Sequence, residues 1–378
     1  MKSTRLERRA EKLQLATGVT WTEALKRVKS LPPDSRLIPE AHASQALLES
    51  YVLSGLAWPM VETRNPWGIR SVDARTDSLT LTFENDVAQL VDSESMAKEL
   101  VRALVPCFDE HGEVRGIPGA RFTTDNDGIH IRRMGLFGSL TILGIPAEDW
   151  ATALVLQRYE NQGDGKRFCH DSHPHRWHRR EAPFRQPTTR TTLSRHHYRK
   201  KPSAWLASGL LRRAPLFRTI GVPLSTTAWT NLTDDGGSEW IIEYINEPLT
   251  DAPCYHQGFT NLLTDPECGL PIVGTHLDCS CGQPPESYWG CRLYARSTAG
   301  QPGALQVRFS RRCGDRASFY KDKLDDYEER RDLYQPIPTH LTAGPAWADS
   351  PPPWTAHQRN WGLFPGAPGP APPARWAT

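Results

Sequence analysis

Apolar positions in residues 1–57 recur at helical spacing and predict three helices. In the first, Leu6, Ala10 and Leu13 share a face, Arg5, Arg8, Arg9 and Lys12 lie largely elsewhere, and Gly18 is placed to end it. Thr20, Trp21, Thr22 and Glu23 have the form of a capping box that opens a second helix, which reaches about Lys29 before Pro32 and Pro33 stop it. A third helix, over residues 40–56, carries Ala43, Leu47, Val52 and Leu56. The short turn between the first two helices fits a helix-turn-helix; an amphipathic hairpin with a solvated charged face accounts for the same pattern.

From residue 58 to 160 the periodicity alternates between strand and helix. Leu79, Leu81 and Phe83 alternate with threonines as in a half-buried strand, and Asp92 to Ser95 lead into a helix with Met96, Leu100 and Leu104 on one side, closed by Pro106. Residues 120–123 and 129–132 read as a hairpin around Asp127-Gly128, residues 138–143 as another strand, and Pro146 opens a helix to about Tyr159 with Glu148 and Asp149 at its positive end. A calcium loop aligned on Gly128 would need carboxylates where Thr123 and Met134 stand, so the segment is a turn.

The texture changes near Asn161. Residues 203–213 can form a short helix ending in Arg212 and Arg213, residues 240–245 and 306–310 read as strands, and residues 319–334 as a highly charged helix. Of the 32 prolines, 11 fall after residue 335. The chain therefore predicts an α+β N-terminal half (58–160) with a helical lead-in (1–57). An irregular basic, His-rich linker (161–202) follows, then a cysteine-containing region (203–335) of doubtful compactness and a disordered Pro-rich tail (336–378).

Composition sharpens this outline. A length of 378 residues allows two compact domains plus irregular segments, and a hydrophobic share of 38% with mean hydropathy −0.54 implies that part of the chain is not packed. Net charge is only +2, yet residues 166–201 hold 11 Lys/Arg against 2 Asp/Glu, so the positive charge is concentrated there. No signal-peptide pattern and no long apolar run are present, which predicts a cytoplasmic chain without a membrane partner and with reduced cysteines.

Two chemistries fit the clustered residues. Lys166, Arg167, Arg176, Arg179, Arg180, Arg195, Arg199, Lys200 and Lys201 can neutralise nucleic-acid phosphates, with Trp177, His196, His197 and Tyr198 as rings to stack on bases. Six of the 8 cysteines lie in residues 254–315, and zinc could be held by Cys279, Cys281, Cys291 and either His276 or Cys254 in a structural or interaction module. The Cys-x-Cys spacing is one residue shorter than an ordinary zinc knuckle. Cys169, His170, His173, His175 and His178 offer ligands within ten residues, but with the spacing of no established finger.

Catalytic signatures are absent. Glu160 and Arg167 replace the Gly and Ser/Thr of a phosphate-binding loop, and the chain has no His-Glu-x-x-His and no Gly-x-Ser-x-Gly. The run RAEKLQLATGVTWTEALKRV, residues 9–28, resembles a short segment near the start of proteins of high-GC Gram-positive bacteria, several of them uncharacterised and some on mobile elements. The resemblance covers only that run and implies provenance rather than activity. The expected function is thus a non-enzymatic nucleic-acid-associated accessory protein of a mobile element. The alternatives are the zinc module and a composite or frameshifted reading frame, which the texture change also fits.

Overall fold

A computed structural model describes residues 4–56, 65–84, 95–170, 175–185, 203–232, 238–247, 256–278, 291–297 and 303–311, together with Thr63, Ile337, Pro338 and Leu341. The architecture is α+β with a helical N-terminus. Helices α1 (Arg5–Thr17) and α2 (Trp21–Ser30) form a hairpin, and α3 (Ala43–Leu56) follows. Both hairpin helices begin in complete capping boxes, Thr4 with Glu7 and Thr20 with Glu23, so each first turn satisfies two backbone donors that would otherwise lack partners.

Strands β1 (Ile69–Ala74) and β2 (Ser78–Phe83) pair antiparallel, and α4 (Met96–Leu104) leads to β3 (Cys107–Phe108) and β4 (Val114–Arg115). The expected hairpin is β5 (Ala120–Asp125) and β6 (Gly128–Arg133), with β7 (Ser139–Leu143) beside it. A five-stranded sheet results, in the order β1-β2-β7-β6-β5, in which β2 and β7 run parallel. Helix α5 (Ala147–Gly163) lays Trp150, Ala153, Gln157 and Asn161 inward and leads to β8 (Arg167–Phe168).

Beyond the basic stretch come α6 (Ala204–Leu211), β9 (Val222–Leu232), β10 (Ser238–Glu247), α7 (His256–Leu263), β11 (Ile272–Asp278), β12 (Cys291–Ser297) and β13 (Ala304–Arg311). Their sheet has the order β11-β12-β13-β10-β9, with β10 and β13 parallel. The compactness that composition left in doubt is therefore present here. One apolar cluster joins Leu13 and Leu53 to Leu81, Leu210, Phe217, Trp240 and Val307, so residues on both sides of the basic stretch share a core. The expected charged helix over 319–334 and the Pro-rich tail lie outside the described residues, Ile337, Pro338 and Leu341 excepted.

Helix α3 departs most from its sequence pattern. Ala43 is exposed and Leu47 half-buried, whereas Leu48, Val52, Leu53 and Leu56 are fully covered and so are Gln45, Glu49 and Ser50. The helix is packed on several sides, against α6, α4, β7 and β9, which leaves no single apolar stripe to read. Its buried Glu49 is matched by Arg212 through two bonds, Nε to Oε2 at 2.8 Å and Nη2 to Oε1 at 2.7 Å. Ser208 and Gln45 donate to the same carboxylate, and the remaining Arg212 donors reach the carbonyls of Pro39 and Arg75. Arg213, next in sequence, bonds the carbonyls of Cys268, Gly209 and Gly269 and the carboxylate of Glu40. Midway along α1, Lys12 bridges Asp265 and Glu267; burial works against its charge, but those two carboxylates hold its pKa above the ordinary lysine value.

Among the described residues no helix is long and apolar enough to cross a membrane. Glu49→Ala leaves the Arg212 guanidinium buried without its carboxylate, and we expect a loss of about 3–5 kcal/mol in denaturant titration. Glu49→Leu combined with Arg212→Leu should lose clearly less. Equal losses in the single and double variants would refute the role assigned to the pair.

Candidate nucleic-acid interface

The first part of the basic stretch docks onto the α+β half. Strand β8 completes a small sheet ordered β4-β3-β8, in which Cys107 faces both Arg115 and Phe168 while Phe108 faces Val114 and Arg167. Cys169 then donates its N–H to the carbonyl of Pro106, continuing the ladder by one bond. Val114, Cys169 and Phe184 form a small apolar cluster with Phe108 and Trp177 against it. These anchors are far apart in sequence and stand among arginines and histidines, which is why periodicity does not reveal them.

Residues 175–185 are held by one buried carboxylate. Glu181 accepts from the N–H of Gly119 at 2.7 Å, from the N–H of His178 at 3.0 Å and from both terminal nitrogens of Arg121. Arg121 also donates to the carbonyl of Arg176. Arg133, 1% exposed, donates to the carbonyls of Pro118 and Phe184, and its guanidinium lies 5.0 Å from the Tyr51 ring and 5.3 Å from that of Trp177. Trp177 packs so closely on Gly119 that a Cβ there would lie 2.5 Å from the indole, and Gly119 has φ +81°, so glycine is required twice over.

This packing sorts the sequence-predicted residues. Arg167, Arg176 and Arg179 are exposed and make no ion pair among the described residues; Arg115, also exposed, lies on the other outer strand of the small sheet. Lys166 is paired with Asp164 at 2.5 Å. Arg180 is half-buried beside Gly112, with its Nε covered and without an acceptor. Arg195, Arg199, Lys200 and Lys201 lie outside the described residues, as do His196, His197 and Tyr198. Trp177 is half-buried between Gly119 and Arg133 rather than presented to bases, and His178 is stacked on Phe108 at 4.6 Å. The turn between β3 and β4 carries Asp109, Glu110 and Glu113, and the register of the small sheet sets Arg115, level with Cys107, on the opposite face from Arg167, level with Phe108. The contributions of Arg115, Arg121 and Arg133 are missed by sequence reasoning. An isolated Glu181 inside a basic run is the signal that could have found the anchor.

The proposed zinc ligands are not brought together where they can be seen. His276 faces Tyr294 across β11 and β12, whereas Cys291 lies three residues from Tyr294 along β12 and faces Phe309 on β13. An odd separation puts their side chains on opposite faces of the sheet, about 10 Å apart along the strand. His276 and Cys291 therefore cannot ligate one ion. Cys254, Cys279 and Cys281 lie outside the described residues, and no group of three candidate ligands occurs among those described. In the segment from Cys169 to His178, Cys169 is fully buried, His170 stacks on Phe168 and His173 lies outside the described residues. Burial raises the thiol pKa of both Cys107 and Cys268, which keeps them protonated and unreactive near neutral pH.

No protein-family model, no curated protein and no solved structure matches the chain. The anchoring role of Glu181 has a direct readout. Glu181→Ala leaves two backbone donors and Arg121 unsatisfied, and trypsin should then cut after Arg176, Arg179 and Arg180 at least about tenfold faster than in the unaltered protein, a change of roughly 1.4 kcal/mol or more in local opening. An unchanged cleavage rate would remove Glu181 as the anchor.

Proposed function

We propose that the protein binds nucleic acid in the cytoplasm through the basic face built on residues 166–185 and continued in sequence to Lys201. The observation that carries this reading is the contrast between arginines. Arg121, Arg133, Arg212 and Arg213 are consumed by internal partners, while Arg167, Arg176 and Arg179 stand in solvent without a carboxylate partner among the described residues. Cations held on a packed scaffold and free of ion pairs can neutralise phosphates without first breaking an internal bond. Trp177, half-buried against Gly119 and Arg133, and buried His178 leave the contact to charge, so we infer binding with little base preference. The basic stretch and the N-terminal resemblance support an accessory role beside nucleic acid, and the absence of any catalytic signature supports a binder rather than an enzyme. The Glu49–Arg212 pair, which spans the change in texture, favours one evolved fold over a composite reading frame.

Fluorescence anisotropy with duplex DNA, single-stranded DNA and RNA across salt tests the reading. Three phosphate contacts give log K against log salt a slope of about −3 on duplex, and neutralising Arg167, Arg176 and Arg179 to Gln should flatten it by about that amount. Absence of binding at physiological salt, or an unchanged slope in the triple variant, would overturn the proposal.

A further inference from the structure

Three arginines follow α6 within seven residues, and all three are buried: Arg212 and Arg213 at 0% exposure and Arg218 at 4%. The first two have carboxylate and carbonyl partners on both edges of the guanidinium. Arg218, in the 3-10 turn Ala214–Thr219, is different. Its Nη1 donates to Oδ1 of Asn65 at 3.1 Å, while Nε and Nη2 are covered and have no acceptor. Nε–H and Nη2–H form the side-on fork of the guanidinium, the edge that matches two oxygens of a carboxylate or phosphate.

The surroundings preserve that edge. Gly18 ends α1 at φ +69°, and a Cβ there would lie 2.2 Å from the Arg70 carbonyl oxygen and 2.6 Å from Nη2, so glycine is required by the backbone and lets the guanidinium lie against the helix end. Asn65 is itself held by its amide donating to Glu84 at 2.5 Å, which orients Oδ1 toward Nη1. Trp67, two residues on and edge-to-face with Phe217 at 5.6 Å, has φ 53° and ψ 24°, a left-handed conformation that costs a non-glycine residue on the order of 1 kcal/mol. Its Nε1–H is also buried without an acceptor. Burial depresses the Arg218 pKa to about 10, against the pull of Tyr244 and Glu84 and with the help of Arg70. Positive charge and unused donors thus occur together, beside strained backbone, where α1, the Pro66–Gly68 turn and the second sheet meet.

We propose that the side-on fork of Arg218 is a binding site for a small oxyanion presenting two oxygens, a carboxylate or a phosphate group, held at this junction. The site is distinct from the exposed basic face and does not depend on it. The test is thermal unfolding of the full chain in inorganic phosphate, acetate or chloride at matched ionic strength. A saturable rise in Tm over chloride, in phosphate alone, in acetate alone or in both, supports the site and identifies the anion class.

Arg218→Lys keeps the charge but loses the fork and should weaken the effect at least tenfold. Should that variant fail to fold, Asn65→Ala serves as a second, since it releases Nη1 and should weaken the effect without removing the cation. The Arg167, Arg176 and Arg179 triple Gln variant should retain the full shift, which separates failure of this site from failure of the nucleic-acid surface. Equal Tm in all three salts, an undiminished shift in the folded Arg218 or Asn65 variants, or loss of the shift in the triple variant, would overturn the proposal.

Discussion

The bidentate pair between Glu49 and Arg212 is the constraint on which the rest of the structure depends. A carboxylate and a guanidinium with no exposure survive together only when every remaining donor and acceptor finds a partner, and here Ser208, Gln45 and the carbonyls of Pro39 and Arg75 complete the set. That requirement fixes α3 against α6 and places both beside β1 and β7, because Gln45 also bonds the backbone of Ser139. Arg213 and the Lys12 bridge then secure the turn after α7 to the helical hairpin. The second sheet is thereby built onto the first half through polar contacts as well as through the shared apolar core.

The same logic separates structural arginines from available ones. Among the described residues, Arg212 and Arg213 bind carbonyls and carboxylates on both edges of the guanidinium, whereas Arg218 leaves one edge without an acceptor. Arg218 stands out inside the core, and Arg167, Arg176 and Arg179 stand out at its surface. The two proposals differ accordingly: a discrete fork for a single anion at Arg218, and a screened field for phosphates at the exposed arginines.

Much of the first half was legible from sequence because local chemistry decided it. The Thr20–Glu23 capping box, the Asp127-Gly128 turn and the alternation of Leu79, Leu81 and Phe83 are short-range signals, and each forms the element it predicts. Helix α3 is legible, and Val52 and Leu56 are buried as its pattern implies, but Ala43 and Leu47 are not, and the burial of Gln45 and Glu49 on a helix packed on several sides leaves no local signal. Arg212 and Arg213 fit a reading as favourable charges at a helix C-terminus, and only tertiary packing turns them into core residues. Around the candidate interface, exposed Arg167, Arg176 and Arg179 were legible as charge. The Glu181–Arg121 anchor, whose members are sixty residues apart, was not, because nothing local pairs them.

Native-state hydrogen exchange of the α3 and α6 amides tests the central claim most directly, since the two helices lie on opposite sides of the basic stretch yet share the Glu49–Arg212 pair. Protection of both at the same free energy, equal to that of global unfolding, is the predicted result. Exchange of the α6 amides through a separate opening well below the global value, with α3 still protected, would contradict a single cooperative fold.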